Sequence, residues 1–408
     1  MNSGYALNPY VRDSAAPPIP LAGQWGARFE ASPDKPLLNL AQGVPGSPPP
    51  LELQKKLADA AAEPATTSYG ALQGEEGLRQ ALAKDVNGVY GTDNAGEEQK
   101  VTVDDIVITA GCNLAFYASM LALARPGDEI ILPSPSYFNH AMSLDQLGLT
   151  LVPLRCRPPT FLPSVDGCAA LITPRTKAVI LVTPNNPTGA IYPPGLLKQF
   201  AELAAEKKIA LVMDETYRDF LEGRPHNLFA ESSWRRYLIH LFSFSKSYAI
   251  PGHRLGAIIA TQPFLRSVYK LMDCIQTCPP RPAQQAIQWA VEAMRPWREA
   301  TRDELAQRQR VFKELLEDVE GWEVVCGGAY FAYVKHPFAG VPSELVARRL
   351  GERVGVVVLP GTFFSPPFEN VDEDRYIRFA VANVSEETLR LIPARLEELN
   401  KLWPTLKA

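Results

Sequence analysis

Lys246 is the residue of this sequence whose surroundings best suit covalent chemistry with a carbonyl compound. It ends the segment Ser243-Phe-Ser245-Lys246, which directly follows an apolar run, and Arg254 comes eight residues later. Apolar neighbours disfavour a charged amine, and a neutral amine is the form that attacks an aldehyde to give a Schiff base. The two hydroxyls and the guanidinium would suit a phosphate dianion. Taken alone, a lysine in such a loop is more often a solvated surface charge.

Asp214 stands at the end of a second apolar run, residues 209–213, and Tyr217 follows three positions later. A carboxylate there could keep a pyridine nitrogen protonated, which makes the ring an electron sink for a carbanion at a substrate's Cα. A helix cap is an equally good interpretation of an acidic residue at a strand end. These two residues alone therefore leave a cofactor partner and a structural cap both open.

Two further segments follow predicted strands. Residues 185–189, Asn-Asn-Pro-Thr-Gly, favour a turn, although the amide of Asn186 could also donate to a phenolic oxygen on a cofactor ring. Residues 110–113 join a strand to a helix, where free N–H groups bind phosphate well and Gly111 allows a close backbone approach. Each segment is also compatible with a simple tight connection.

The segments above are positioned by an alternation of helical patterns and short apolar runs. Residues 177–183 are almost entirely apolar, which is typical of a strand buried on both faces of a parallel sheet. Strands that alternate with helices predict an α/β fold with a mostly parallel, mixed sheet between helices, and such sheets bind ligands at their strand ends. We predict strands at 105–109, 129–132, 149–154, 177–183, 209–213, 238–242 and 255–260.

The pattern changes twice along the chain. The first fifty residues are rich in proline, which predicts an extended arm rather than a core element. Beyond residue 300, short strands mix with helices, which predicts a smaller α+β domain. We therefore expect an N-terminal arm with part of the small domain at 1–50, a large cofactor-binding domain at 51–300 and a small C-terminal domain at 301–408.

Composition and charge argue against several classes of partner. The 408 residues are 46% hydrophobic and 21% charged, with a net charge of −4, which gives no case for binding nucleic acid or an anionic membrane. No apolar run approaches the ~20 residues of a membrane-spanning helix, and residues 1–20 lack the pattern of a secretory signal. The six cysteines are scattered without a Cys-x-x-Cys pair, so we predict no metal site and a reducing, cytoplasmic location.

Together and in this order, the motifs resemble those of the class I/II aminotransferases of pyridoxal-phosphate (PLP) fold type I, over about residues 38–399. The resemblance implies pyridoxal 5'-phosphate as the cofactor. It implies that Lys246 binds the cofactor aldehyde and that Asp214 pairs with the ring nitrogen. Asn186 and Tyr217 would donate to the ring hydroxyl. The phosphate would be held by Ser243, Ser245, Arg254 and the backbone at Gly111 and Cys112.

Further matches to this family concern the ring face and a second subunit. Tyr137, the last residue of Pro-Ser-Tyr, matches the aromatic residue that stacks on the cofactor ring. His140 falls where some members carry a histidine behind the aspartate. Tyr69 looks like the tyrosine that reaches the phosphate of the neighbouring subunit, so the resemblance implies a homodimer.

The resemblance also implies a substrate site. Arg378 matches the arginine that grips the substrate's α-carboxylate with its planar fork of donors. Asn186 and Gly43 are expected to complete this site, Gly43 as part of a lid at residues 40–43. The amino donor is left open: Arg281 could bind an acidic side chain in a neighbouring site or lie at the surface. An apolar pocket for aromatic or aliphatic donors could be lined by Tyr5, Tyr10, Trp25 and Phe363.

We therefore expect an aminotransferase that moves an amino group from an L-amino acid to a 2-oxo acid, with Lys246, Asp214 and Tyr217 as catalytic residues. The amine of Lys246 would be the general base that moves the Cα proton. A carbon–sulfur β-lyase on the same fold is the alternative, because the cofactor residues do not separate the two. A cyclopropane-forming enzyme would need an acidic residue that positions 36–50 do not contain. A non-catalytic regulator would be expected to lose the lysine, the aspartate or the arginine.

Overall fold

The computed structural model describes residues 4–367 and 370–406, and the strands in them form three sheets of seven, four and two strands. In chain order the strands are β1 (Leu38–Asn39), β2 (Ile106–Thr109), β3 (Glu129–Ser134), β4 (Thr150–Arg155), β5 (Thr176–Val182), β6 (Ala210–Asp214), β7 (Leu238–Ser243), β8 (Gly256–Ile259), β9 (Glu323–Gly328), β10 (Phe331–Lys335), β11 (Val356–Val357), β12 (Leu359–Pro360) and β13 (Tyr376–Ala380).

The helices follow the alternation that the sequence predicts, and no helix among the described residues is both long and apolar enough to cross a membrane. They are α1 (Pro9–Arg12), α2 (Pro18–Gly26), α3 (Leu51–Ala62), α4 (Glu76–Tyr90), α5 (Cys112–Leu123), α6 (Phe138–Gln146), α7 (Val165–Leu171), α8 (Pro194–Lys207), α9 (Phe244–Ser247), α10 (Gln262–Ile275), α11 (Arg281–Ala293), α12 (Arg295–Glu317), α13 (Ser343–Val354), α14 (Glu386–Leu389) and α15 (Ile392–Leu406).

The seven-stranded sheet has the order β2-β8-β7-β6-β5-β3-β4. The five strands from β7 to β4 run parallel, and β8 is antiparallel to both of its neighbours. Every residue of β3 and of β7 is buried, as expected where helices cover both faces of a sheet. Because adjacent parallel strands end at one edge, the ends of β5, β6 and β7 bring Val182, Asp214 and Ser243 to the same side of the sheet.

Separate apolar clusters cover the two faces of this sheet. Ile131 of β3 packs in one cluster with α4 and α11, while its neighbours Ile130 and Leu132 pack in another with α5 and α10. A further cluster lies between the four-stranded sheet and the helices α13 and α15. The predicted fold class, a mostly parallel mixed sheet between helices with a smaller α+β part, is confirmed. The domain boundaries at residues 50 and 300 stay a prediction.

The prediction that the N-terminal arm is extended and outside the core is wrong for part of its length. Helix α2 packs against α13, and its Ala22 and Trp25 are buried in the same cluster as Leu350. Proline is compatible with the first turn of a helix, because the N–H that it lacks would have no partner there. Pro17 and Pro18 therefore mark the start of a helix rather than an extended chain.

Candidate active site

A cavity of about 160 Å³ opens where β5, β6 and β7 end. Open sheets with parallel strands place their ligands at this edge. Most of the predicted site residues line the cavity, and Gly111 directly precedes Cys112 at the start of α5. The predicted residues in the lining are Gly43, Cys112, Tyr137, Asn186, Asp214, Tyr217, Ser243, Ser245, Lys246, Arg254 and Arg378.

Lys246 reaches the cavity from the short helix α9, directly after β7. Ser243 caps this helix by accepting a hydrogen bond from the backbone N–H of Ser245 at 3.3 Å. Burial of the lysine amine, together with the positive charges of Arg254 and Arg378, lowers the pKa of Lys246 to about 8. At neutral pH roughly a tenth of such amines are uncharged, against a negligible share at the ordinary lysine pKa. The structure thus supplies a reactive amine.

Asp214 ends β6, is buried, and lines the same cavity as Lys246. Its Oδ2 lies 3.1 Å from Nε2 of His140, and its Oδ1 accepts hydrogen bonds from the N–H and the hydroxyl of Thr216 at 3.0 and 2.7 Å. Burial raises the pKa of Asp214, but the hydrogen bonds from His140 and Thr216 outweigh this effect and hold its pKa below the ordinary value. The carboxylate is therefore ionised and can pair with a cationic ring nitrogen.

A positively charged cradle lies at the start of α5. Gly111 has φ +89°, and a Cβ at this position would overlap the guanidinium of Arg254, so only glycine allows this close approach. Gly256 is similarly tight, because its Cβ would lie 2.6 Å from the backbone nitrogen of Cys112. No carboxylate of the described residues lies within ion-pairing distance of Arg254, whose Nη1 donates to the carbonyl of Pro251 at 2.8 Å. Guanidinium, hydroxyls and helix N-terminus suit a phosphate dianion.

Three further polar side chains line the rest of the cavity. Burial raises the pKa of Tyr217 well above its ordinary value, so its phenol stays protonated and can donate a hydrogen bond. Asn186 is buried, and its Oδ1 accepts a hydrogen bond from Arg378 at 2.8 Å. Tyr137 precedes α6, and its ring meets that of His140 edge-on at 5.3 Å between centroids. These groups could hold the polar rim and one face of a flat ring.

Arg378 is a fully buried guanidinium in the four-stranded sheet. Besides Asn186 it donates to the carbonyl of Ala41, and its charge lies over the rings of Phe331 and Phe364 at 4.7 and 4.9 Å. Burial lowers the pKa of Arg378 to about 10. No carboxylate in the described ranges is within ion-pairing distance of it, and a buried charge without a counter-ion is costly. The arrangement therefore suits capture of a carboxylate.

Some predicted residues lie elsewhere. Tyr69 is 83% exposed and does not line the cavity of its own chain, so its role stays a prediction that needs a second subunit. Arg281 pairs with Glu75 at 2.6 Å. None of the four aromatic residues predicted for the substrate pocket lines the cavity, namely Tyr5, Tyr10, Trp25 and Phe363.

Several lining residues were not predicted from the sequence. Ile19, Val44 and Phe138 add apolar side chains to the lining, and Asn113 and Thr216 add polar groups. Only Thr216 carried a local signal. Aspartate commonly forms a turn in which its carboxylate accepts a hydrogen bond from the residue two positions later. The apolar three come from distant parts of the chain, so only the tertiary fold brings them together.

Comparison with known proteins decides the family. The family model described as aminotransferase class I and II matches residues 35–396. The chain belongs to the class I and II aminotransferases.

Several relatives resemble this aminotransferase over most of their length. An aromatic aminotransferase of Arabidopsis thaliana is 30% identical over 370 residues, which cover 88% of this chain and 89% of the relative. A methionine aminotransferase of Escherichia coli is 28% identical over 366 residues, covering 89% and 92%. Among solved structures, an aspartate aminotransferase from Thermus thermophilus with maleate superposes with a TM-score of 0.85 at 27% identity, covering 97% of this chain and 100% of that one.

These findings confirm the predicted fold and the enzyme class, an amino-acid aminotransferase of the PLP-dependent kind. The relatives are named for aromatic amino acids, aspartate, methionine and arginine. The carbon–sulfur lyase alternative receives no support from them.

The buried position of Arg378 predicts the behaviour of Arg378→Lys. Lysine keeps the charge but loses the fork that pairs with both carboxylate oxygens, so KM for the amino donor should rise roughly ten- to a hundredfold. Steady-state kinetics measures this, with cofactor absorbance unchanged. Arg390→Lys, at a half-exposed position on the surface, is the matched control. An unchanged KM in Arg378→Lys would contradict the assignment.

The lowered pKa of Lys246 predicts a pH dependence for loading PLP onto cofactor-free protein. The neutral amine is the reactive form, so the rate should rise with pH and level off above about pH 8. Stopped-flow absorbance measures this rate. A lysine of ordinary pKa would keep gaining rate to about pH 10.4, and that outcome would refute the lowered value.

Proposed function

We propose that this aminotransferase binds PLP in the cavity through Lys246 and takes its amino group from an apolar L-amino acid. The observation that carries the proposal is that the amine of Lys246, the carboxylate of Asp214 and the guanidinium of Arg378 line one cavity. The cofactor's aldehyde, its ring nitrogen and the substrate's carboxylate require these three kinds of group.

The other residues around the cavity fit the remaining parts of the cofactor. Asp214 would keep the ring nitrogen protonated. Tyr217 and Asn186 would donate to the ring hydroxyl, and burial keeps the phenol of Tyr217 protonated for this purpose. The ring face and the phosphate would be held by Tyr137, Ser243, Ser245, Arg254, Gly111 and Cys112.

The chain's own side chains would then perform the transfer. When bound, the cofactor supplies a cationic ring that takes up electron density from the substrate's Cα. Arg378 would bind the α-carboxylate and so fix the orientation of Cα. The amine of Lys246 would move the Cα proton as a general base, and its pKa of about 8 lies near the operating pH, where proton transfer in both directions is efficient.

The donor class is proposed from the apolar side chains in the cavity lining. They include Ile19, Val44 and Phe138, and the cations in the lining are Lys246, Arg254 and Arg378. Each of these cations already has a role in the proposal, so no described lining residue is left to meet a second carboxylate. An aromatic or aliphatic side chain fits this surface. Two of the relatives, an aromatic and a methionine aminotransferase, are named for donors of this class.

We further propose that the enzyme works as a homodimer in the cytoplasm. Tyr69 is exposed on its own chain, and a second copy could bring it to the phosphate. Tyr10 and Val11, 49% and 54% exposed, add apolar surface that a partner could cover.

The variant Lys246→Ala tests the central residue of the proposal. It should lose both transamination and the visible absorbance band of the lysine-bound cofactor, because no other amine of the described chain lines the cavity. Lys270→Ala, at an exposed position on α10, is the matched control and should keep both. Turnover by Lys246→Ala at the normal rate would remove this lysine from the mechanism.

The same preparation tests the donor class in half-reactions without an oxo acid. Leucine, methionine, phenylalanine and tyrosine should bleach the band faster than aspartate, by roughly tenfold or more if burying an unpaired carboxylate is the barrier. Equal rates with aspartate would contradict the apolar assignment. Release of ammonia and pyruvate from a cysteine conjugate would favour the lyase instead.

A further inference from the structure

We propose that the hydroxyl of Thr216 sets the charge and orientation of Asp214, which makes Thr216 a positioning residue of the cofactor site. The proposal rests on the proposed function, since Asp214 matters through its pairing with a ring nitrogen. It concerns a residue that lines the cavity but has no place in the mechanism given above.

The two carboxylate oxygens of Asp214 have different hydrogen-bond partners. Oδ2 lies 3.1 Å from Nε2 of His140. Oδ1 accepts from Thr216 twice, from the backbone N–H at 3.0 Å and from the hydroxyl at 2.7 Å. The thiol of Cys112 is 3.9 Å from Oδ1, and a thiol is only a weak donor. The hydroxyl is therefore the short side-chain hydrogen bond on this oxygen.

The electrostatic consequence follows from the burial of the carboxylate. Asp214 is 5% exposed, and burial alone favours its neutral form. Hydrogen bonds to the ionised form oppose this, and a bond to a charged group is stronger than one between neutral groups. Any residue at position 216 other than proline could supply the backbone N–H. Only serine or threonine supplies the hydroxyl in the same place, so the side chain at 216 tunes the carboxylate.

The loop that carries Thr216 does not depend on this hydroxyl for its shape. On one side, Glu215 accepts hydrogen bonds from His240 and His226 at 2.8 and 3.2 Å and from the phenol of Tyr90. On the other side, the fully buried Arg218 pairs with Asp85. These anchors face away from the cavity and hold the loop from the far side.

We therefore do not expect the Thr216 hydroxyl to serve only to hold the turn. Its removal should leave the backbone in place and change mainly the proton affinity of Asp214. A more basic Asp214 would draw the proton away from the ring nitrogen. The ring would then be a weaker electron sink, and Cα proton transfer would slow.

The test uses holoenzyme of Thr216→Val, which removes the hydroxyl with little change of shape, and Thr216→Ser, which keeps it. The matched control is Thr102→Val, because Thr102 also donates to an aspartate, Asp105 at 2.9 Å, in a capping box remote from the cavity. Thr216→Val should lower kcat and PLP affinity by roughly tenfold each, with KM for the donor nearly unchanged. The pKa of the visible cofactor band should rise. Thr216→Ser and Thr102→Val should behave as wild type.

The outcomes separate this proposal from the proposed function. Wild-type protein that takes up no PLP would overturn both. Wild-type protein that binds PLP, with Thr216→Val matching Thr102→Val in band pKa, PLP affinity and kcat, would overturn the role of Thr216 alone. Equal losses in Thr216→Val and Thr216→Ser would also overturn it. If Thr216→Val does not fold, Thr216→Ala carries the same expectations and the same grounds for rejection.

Discussion

Three cationic side chains face one carboxylate in a small cavity, and the rest of the site depends on this imbalance of charge. Lys246, Arg254 and Arg378 line the cavity with Asp214, which is the one acidic residue among the described lining. Repulsion from the two guanidiniums adds to burial in lowering the lysine pKa, which makes its amine reactive. The guanidiniums remain charged, so the cavity favours the entry of anions. A cofactor phosphate and a substrate carboxylate meet that requirement.

The fold brings these charges together from distant parts of the chain. Parallel strands end side by side, which places Asp214 and Lys246 at one edge of the large sheet. Arg378 comes from the smaller sheet, so the cavity takes its charged residues from both sheets. The polar network behind the loop, through Glu215 and Arg218, holds the backbone while Asp214 and Tyr217 face the cavity. Stability and chemistry thus use different residues of one short segment.

The sequence alone predicts the parts of the site that follow long apolar runs. Asp214 and Lys246 are recognisable because buried parallel strands are apolar throughout and their ends bind ligands. The substrate pocket is not predictable in this way. Ile19 reaches the cavity from helix α2, in a proline-rich segment that the sequence pattern wrongly predicts to be an extended chain. The role of Tyr69 is also not predictable from these local patterns, because its proposed partner belongs to a second copy of the chain.

The central claim is that the amine of Lys246 binds the cofactor aldehyde. The most direct test is borohydride reduction of the PLP-loaded enzyme, which makes the bond permanent, followed by digestion and mass analysis of the labelled peptide. Our account predicts a pyridoxyl group on Lys246 and on no other lysine. A label on another lysine, or no label on a protein that has bound PLP, would contradict it.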